Sequence, residues 1–439
     1  MKPITFLYDQ EPFVETDGSY FSKQLNAHIP INGLSIGQIK KANTEKLAML
    51  QQRHTIGLFA KEVFLPIPHI LSYHCEVKHC SINSANGKAI YELRVRAPLE
   101  FIEYCESNEN VLKLLPSNLV DSINYGSTLL LYKEMQDYSY ETNKFLRLKT
   151  LFIDAGIDIN NVIILSNECH KTIDTYDMNV IFWDFYQSVV RYDMPYDLQT
   201  VNQHYDYRIN NDSKRFICLN RVPRSQRVAF VYFLYAQKLL KYFNASLSNL
   251  MEFTGDTKKR SFNYATPLMK SIVTYNEANF EKFKKILPLQ YDQDDPMKFW
   301  SWDIYNENMC KNNHIFIVTE TWWNEKPLPI LTEKTFKSIA LKMPFILLAQ
   351  PHSLSKLKRD GYQTFSELWD ESYDSEEDDV KRFTKVCALV KKLCSMSDTA
   401  FMSMIAKSKS IVDYNYDILK NNTKDQEIVD NLIKWNNTP

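Results

Sequence analysis

The sequence predicts an α/β fold organised as two successive parallel-sheet halves, and three observations carry that prediction. Short runs of β-type residues recur along the chain, separated by polar stretches compatible with helices. Strands joined by helical crossovers produce this pattern. The length of 439 residues holds two domains at roughly 100 to 200 residues each, with room for a third. Between the two series lies a segment, Asp193 to Ser213, that is polar, rich in Tyr, Asp and Asn, and devoid of apolar periodicity.

In the first half, Ile4 to Tyr8 reads as a strand ending in a polar turn. Thr55 to Ala60 and Val63 to Ile67 are further short apolar stretches, and Ser127 to Tyr132, Val162 to Leu165 and Val180 to Trp183 are candidate strands. The second series opens with Arg215 to Leu219, an apolar run closed by Asn220. Arg227 to Phe243 is strongly apolar and long enough for one buried helix. His314 to Thr319 and Pro344 to Leu348 are two more strands; between them Glu333 to Leu341 fits a helix with Thr332 as its N-cap. The acidic run Ser375 to Asp379 suits the positive end of a helix. Phe401 to Trp435 reads as one or two helices. The expected division is 1–205, 206–405 and a terminal helical segment, 406–439.

Composition removes several classes. With 44% hydrophobic and 24% charged residues the chain is neither collagen-like nor disordered. The 52 Lys and Arg nearly cancel 53 Asp and Glu, so any nucleic-acid contact must be a local patch. The 9 glycines form neither GxGxxG nor GxxxxGK[ST], which excludes the backbone phosphate cradles that need them. A phosphate site here must use side chains. No secretory leader or run of 18 apolar residues is found, and 8 cysteines in so long a chain read as reduced thiols. A cytoplasmic protein without membrane attachment is expected.

Of the 13 arginines, Arg215, Arg221, Arg224 and Arg227 fall close together, the last three in the loop after a predicted strand and the start of the next helix. Guanidinium groups bind phosphate bidentately, and ligands of parallel sheets sit at the carboxyl ends of the strands. The loop reads either as an anion site or as a solvated surface whose arginines pair with carboxylates. Thr332-Glu333-Lys334-Thr335 places an acceptor carboxylate beside a cation at a helix start, a pattern that serves a ribose and a diphosphate or plain capping.

Glu333-Lys334, followed by a helix and an apolar strand, resembles the donor-site segment of α1,3-fucosyltransferases and related GT-B glycosyltransferases. Asn220 to Arg227 resembles the loop preceding it. Tyr8 to Pro12, Val318 to Thr321, Thr332 to Thr335 and Trp369 to Asp374 look like recurring segments of uncharacterised glycosyltransferase-like proteins of tailed phages. The resemblance implies two Rossmann-like domains facing a cleft, with the nucleotide-sugar in the C-terminal domain and a terminal helix crossing back to the first. It also implies that Glu333 contacts the ribose, and that Lys334 and an arginine among Arg221, Arg224 and Arg227 contact the diphosphate, with Asn220, Thr332 and Thr335 beside them. The expected donor is UDP- or GDP-linked, with no cofactor or metal required.

A transferase of this kind needs a base for the acceptor hydroxyl. Asp9 and Glu11, just after the first predicted strand, are the first candidates, and Glu168 and His170 the second; each also suits a turn or cap. His69, His74, Cys75, His79 and Cys80 are zinc-type ligands, but their spacing matches no known site and a strand would point neighbours to opposite faces. Asp292-Gln293-Asp294 falls in a polar turn and is discounted as a metal motif, and Trp300, Trp302, Trp322 and Trp323 are assigned no role. The phage resemblance makes hydroxymethylated bases in duplex DNA the first expected acceptor. A glycan, lipid or protein acceptor, an inactive GT-B-shaped interaction protein and a zinc-organised protein are the alternatives.

Overall fold

The computed structural model describes residues 3–8, 12–14, 20–22, 75–81, 87–95, 98–107, 110–115, 117–134, 143–166, 174–192, 202, 205–206, 213–220, 223–248, 267–271, 275, 277–289, 312–323, 329–421 and 424–438. The chain is α/β and divides into two compact units. The first holds Met1–Tyr192, Trp300–Trp302 and Asn422–Pro439; the second holds Asp193–Phe299 and Asp303–Asn421.

The strands of the first unit are β1 (Ile4–Tyr8), β2 (Pro12–Val14), β3 (Tyr20–Ser22), β4 (Val77–Ser81), β5 (Ala89–Val95), β6 (Thr128–Glu134), β7 (Val162–Ser166) and β8 (Asn179–Phe182). Six of them form one sheet in the order β4-β1-β5-β6-β7-β8, and every pairing in it is parallel. β2 and β3 pair separately as an antiparallel ribbon. All residues of β6 and β7 are buried, as strands covered on both faces must be. The covering helices include α1 (Pro98–Ser107), α2 (Ser117–Asn124) and α3 (Lys144–Asp154). Phe145, Leu148, Leu151 and Phe152 give α3 one apolar stripe, and Tyr132 of β6 meets Phe152 edge-on at 5.9 Å.

Among the described residues, the carboxyl ends of β6 and β7 are joined by buried polar contacts. Lys144 donates to Glu134 at 3.0 Å, and the Ser166 hydroxyl donates to the same carboxylate at 2.6 Å. After β8 and α4 (Phe185–Tyr192), the C-terminal segment completes the unit. There Asp425 is buried and accepts from Trp183 Nε1 at 2.6 Å, Ser188 Oγ at 2.6 Å and Arg191 at 2.8 Å.

The second unit carries β9 (Lys214–Asn220), α5 (Ser225–Ala236), β10 (Phe243–Leu247), α6 (Glu277–Lys285), β11 (Asn313–Thr319), α7 (Glu333–Ala340) and β12 (Phe345–Leu348). Its four strands are all parallel, in the order β10-β9-β11-β12. The chain direction across the sheet therefore reverses between β9 and β11, and in open sheets ligands bind at that reversal, beyond the carboxyl ends. The helices α8 (Ser353–Arg359), α9 (Asp379–Ser395), α10 (Asp398–Lys407) and α11 (Lys409–Lys420) follow, and α12 (Lys424–Asn437) belongs to the first unit.

Two sequence expectations need correction. The apolar run Arg227 to Phe243 is not one helix: α5 starts at Ser225 and stops at Ala236, Lys238 turns the chain with φ of 58°, and Phe243 opens β10. An apolar run alone does not separate a buried helix from a helix followed by a buried strand. Phe401 to Trp435 spans parts of three helices, because Ser408 ends α10 and precedes α11, and Asn421 caps the end of α11. In the acidic run 375–379, Asp378 is the N-cap of α9, accepting from Lys381 N at 2.8 Å. The candidate strands Thr55 to Ala60 and Val63 to Ile67 lie outside the described residues.

Candidate functional site

At the reversal between β9 and β11, two helix starts and two strand ends meet. α5 begins five residues after β9 ends, and α7 begins after the loop that follows β11. Their N-termini present the positive ends of two peptide dipoles to one place.

Glu320, the residue after β11, ties this region together. Its side chain is 0% exposed. One oxygen accepts from Thr332 N at 2.9 Å and Thr335 Oγ1 at 2.6 Å; the other accepts from Thr332 Oγ1 at 2.5 Å and Thr321 N at 3.2 Å. Its carbonyl accepts from Gln226 Nε2 at 2.8 Å, and the neighbouring Thr319 carbonyl accepts from Arg227 at 3.0 Å. Thr319 also donates its hydroxyl to Asn220 Oδ1 at 2.5 Å, while Asn220 Nδ2 donates to Cys218 Sγ at 3.2 Å. The starts of both helices are thus fastened to the end of one strand.

Three expected site residues, Asn220, Thr332 and Thr335, are buried and engaged in this fastening. Thr332 is the N-cap of α7, as its hydroxyl and position predict. The more accessible chemistry belongs to Arg224, Glu333 and Lys334, all half-buried. Lys334 Nζ lies 2.5 Å from Glu333 Oε1, 3.2 Å from Thr332 Oγ1 and 3.3 Å from Thr321 Oγ1. Burial opposes the charge on Glu333, but Lys334 and Lys337 and the hydrogen bonds from Lys334 and Thr332 outweigh it. The carboxyl is held below its ordinary range.

Arg227 is buried, and that burial, with Arg224 beside it, pulls its pKa down to about 10 against the opposing pull of Glu320 and Glu333. Among the described residues, the cations Arg224, Arg227, Lys334 and Lys337 and the carboxylates of Glu320 and Glu333 act on one another here. Such a site can hold an anion and offer a carboxylate acceptor to a hydroxyl next to it.

Arg215, the fourth arginine of the sequence cluster, does other work. It donates to the carbonyls of Leu393 at 2.6 Å, Cys394 at 3.1 Å and Met396 at 2.8 Å, and to Asp398 at 2.6 Å, which caps the end of α9.

Asp9, Glu11, Glu168, His170 and Arg221 lie outside the described residues, as do His69, His74, Asp292 to Asp294, Trp300 and Trp302. His79 and Cys80 are consecutive positions of β4. Among the described residues no group of three or more His, Cys, Asp and Glu is placed to hold a metal ion. Thr319 and Glu320, within the segment Val318 to Thr321, and Gln226, within Asn220 to Arg227, also belong to the candidate site, although the sequence assigns none of them a role of its own. A carboxylate immediately after a strand was the available signal, but its partners are remote in sequence.

No family model matches the chain, and no curated protein matches it.

Proposed function

We propose that the protein is a nucleotide-sugar-dependent glycosyltransferase whose two α/β units are the Rossmann-like domains of a GT-B arrangement. The observation that carries the reading is the convergence of Arg224, Arg227, Lys334 and Glu333 on the carboxyl edge of the second sheet at its reversal. Cations there suit a diphosphate, and an ionised carboxylate suits ribose hydroxyls.

In this reading Arg224 and Lys334 contact the diphosphate and Arg227 adds charge from beneath. Glu333 orients the ribose. The acceptor oxygen attacks the anomeric carbon, its proton passes to Asp9 or Glu11, and the bond to the diphosphate breaks with the electron pair leaving on the phosphate oxygen. The cations stabilise that leaving group as its charge develops.

Hydroxymethylated bases in duplex DNA are the proposed acceptor. The test is incubation of such DNA with UDP- and GDP-sugars, followed by mass analysis of its nucleosides. A sugar adduct, lost in Asp9→Ala or Glu11→Ala with donor binding retained, supports the reading. Donor turnover without a DNA adduct, together with salt-insensitive DNA binding, moves the acceptor to a glycan, lipid or protein. No donor binding removes the transferase reading altogether.

A further inference from the structure

We infer that the Trp322 indole and the Arg224 guanidinium form a platform on which the base of a nucleotide stacks, an inference that rests on the glycosyltransferase reading above. Trp322 leaves the carboxyl end of β11 two residues after Glu320, and Arg224 is the residue before α5. The two meet across the reversal of the sheet, with the guanidinium carbon 5.6 Å from the centre of the ring, within cation–π range. Both are half-buried. A large aromatic surface is thus partly open to solvent beside the cations of the candidate site.

The next residue explains how that indole is held. Trp323 is buried, meets Phe383 edge-on at 6.1 Å and lies with its ring 4.2 Å from the Arg382 guanidinium carbon. Its carbonyl accepts from Arg382 at 2.9 Å. On the other side, the Thr321 hydroxyl lies 3.3 Å from Lys334 Nζ. One tryptophan fastens the loop into the core, and its neighbour stays half-buried against Arg224, next in sequence to the Thr321 that meets Lys334. An aromatic side chain fixed in this way loses little freedom when a ligand docks. A ligand with a planar π-system and a short anionic link matches the arrangement, and a nucleoside diphosphate has both.

The experiment is isothermal titration of the full-length protein with UDP, GDP and inorganic pyrophosphate, using wild type, Trp322→Ala and Trp322→Phe. Stacking of a base on an aromatic side chain corresponds to roughly 5- to 150-fold in affinity. Trp322→Ala is expected to weaken the preferred nucleotide by a factor in that range and to leave pyrophosphate unchanged, while Trp322→Phe retains much of the affinity. Unchanged nucleotide affinity in Trp322→Ala overturns the platform and leaves the donor-site reading standing, as does an equal loss for nucleotide and pyrophosphate. If wild type binds neither nucleotide nor pyrophosphate, the donor-site reading and the platform fall together.

Discussion

The Thr332 hydroxyl donates to the buried Glu320 carboxylate at 2.5 Å, and through this contact the first turn of α7 is fixed to the end of β11. The same hydroxyl oxygen lies 3.2 Å from Lys334 Nζ. A buried carboxylate thus holds the cap beside the half-buried Lys334 ammonium. Removing the hydroxyl leaves one of the carboxylate's partners missing in a place water does not reach. Thr332→Val is therefore expected to destabilise the protein by about 1–3 kcal/mol, with Thr332→Ser largely spared. Urea denaturation of the two variants beside wild type checks this, and equal stability of all three refutes the link.

Arg215 and Arg224 are expected to separate cleanly. Arg215 caps α9 through carbonyls and Asp398, so Arg215→Ala lowers the denaturation midpoint and leaves nucleotide affinity unchanged in the folded protein. Arg224 faces the reversal of the sheet with its guanidinium near Trp322, so Arg224→Ala weakens nucleotide binding with a stability change within about 1 kcal/mol. Paired denaturation and titration curves for each variant measure both effects, and a loss of affinity in Arg215→Ala alone reverses the assignment.

Glu333 sets a pH dependence with a definite sign. Its pKa in the folded protein lies below the ordinary value of 4.5, so the unfolded chain binds its proton first as pH falls. The stability it contributes is complete above pH 4.5 and is lost as pH drops through the folded value. Glu333→Gln should therefore show a shallower decline of stability on the acid side, with a constant difference from wild type above that range. Denaturation midpoints collected from neutral pH into acid test this; parallel curves for the two proteins contradict it.

In the first unit, Asp425 joins α12 to Trp183, Ser188 and Arg191. Asp425→Ala leaves three donors without this acceptor, and a loss of about 1–3 kcal/mol is expected. Limited proteolysis should then cut α12 earlier than in wild type. Unchanged protection of the C-terminal segment contradicts this anchoring role.

Local chemistry was legible where the physical cause is local. The strands at 214–220, 313–319 and 345–348 announce themselves as short apolar runs, and Thr332 announces a helix start because its hydroxyl can accept from the amide two residues on. Partners distant in sequence were not legible. β5 hides behind Glu92 and Arg94, and Glu92 is tolerated because Lys133, on the neighbouring strand, lies 3.5 Å away. Arg215 belongs to the arginine cluster by sequence but reaches the end of α9 in the fold. The break after Ala236 rests on Lys238 in a left-handed conformation, without the glycine that usually marks one. In the site, Glu333 and Lys334 were readable as a pair, whereas Glu320 gains its role only from folding.

The central claim is a nucleotide site on the second unit that depends on Glu333. A thermal-denaturation panel with UDP, GDP, CDP and dTDP and their common sugars, run on wild type and Glu333→Ala, tests it most directly. Ligand at about 100 times its dissociation constant stabilises by about 2.7 kcal/mol, which raises the midpoint by several degrees. The account predicts a rise selective for one nucleobase in wild type and absent or much reduced in Glu333→Ala. A wild-type protein that responds to no nucleotide, or a variant that responds as wild type does, contradicts it.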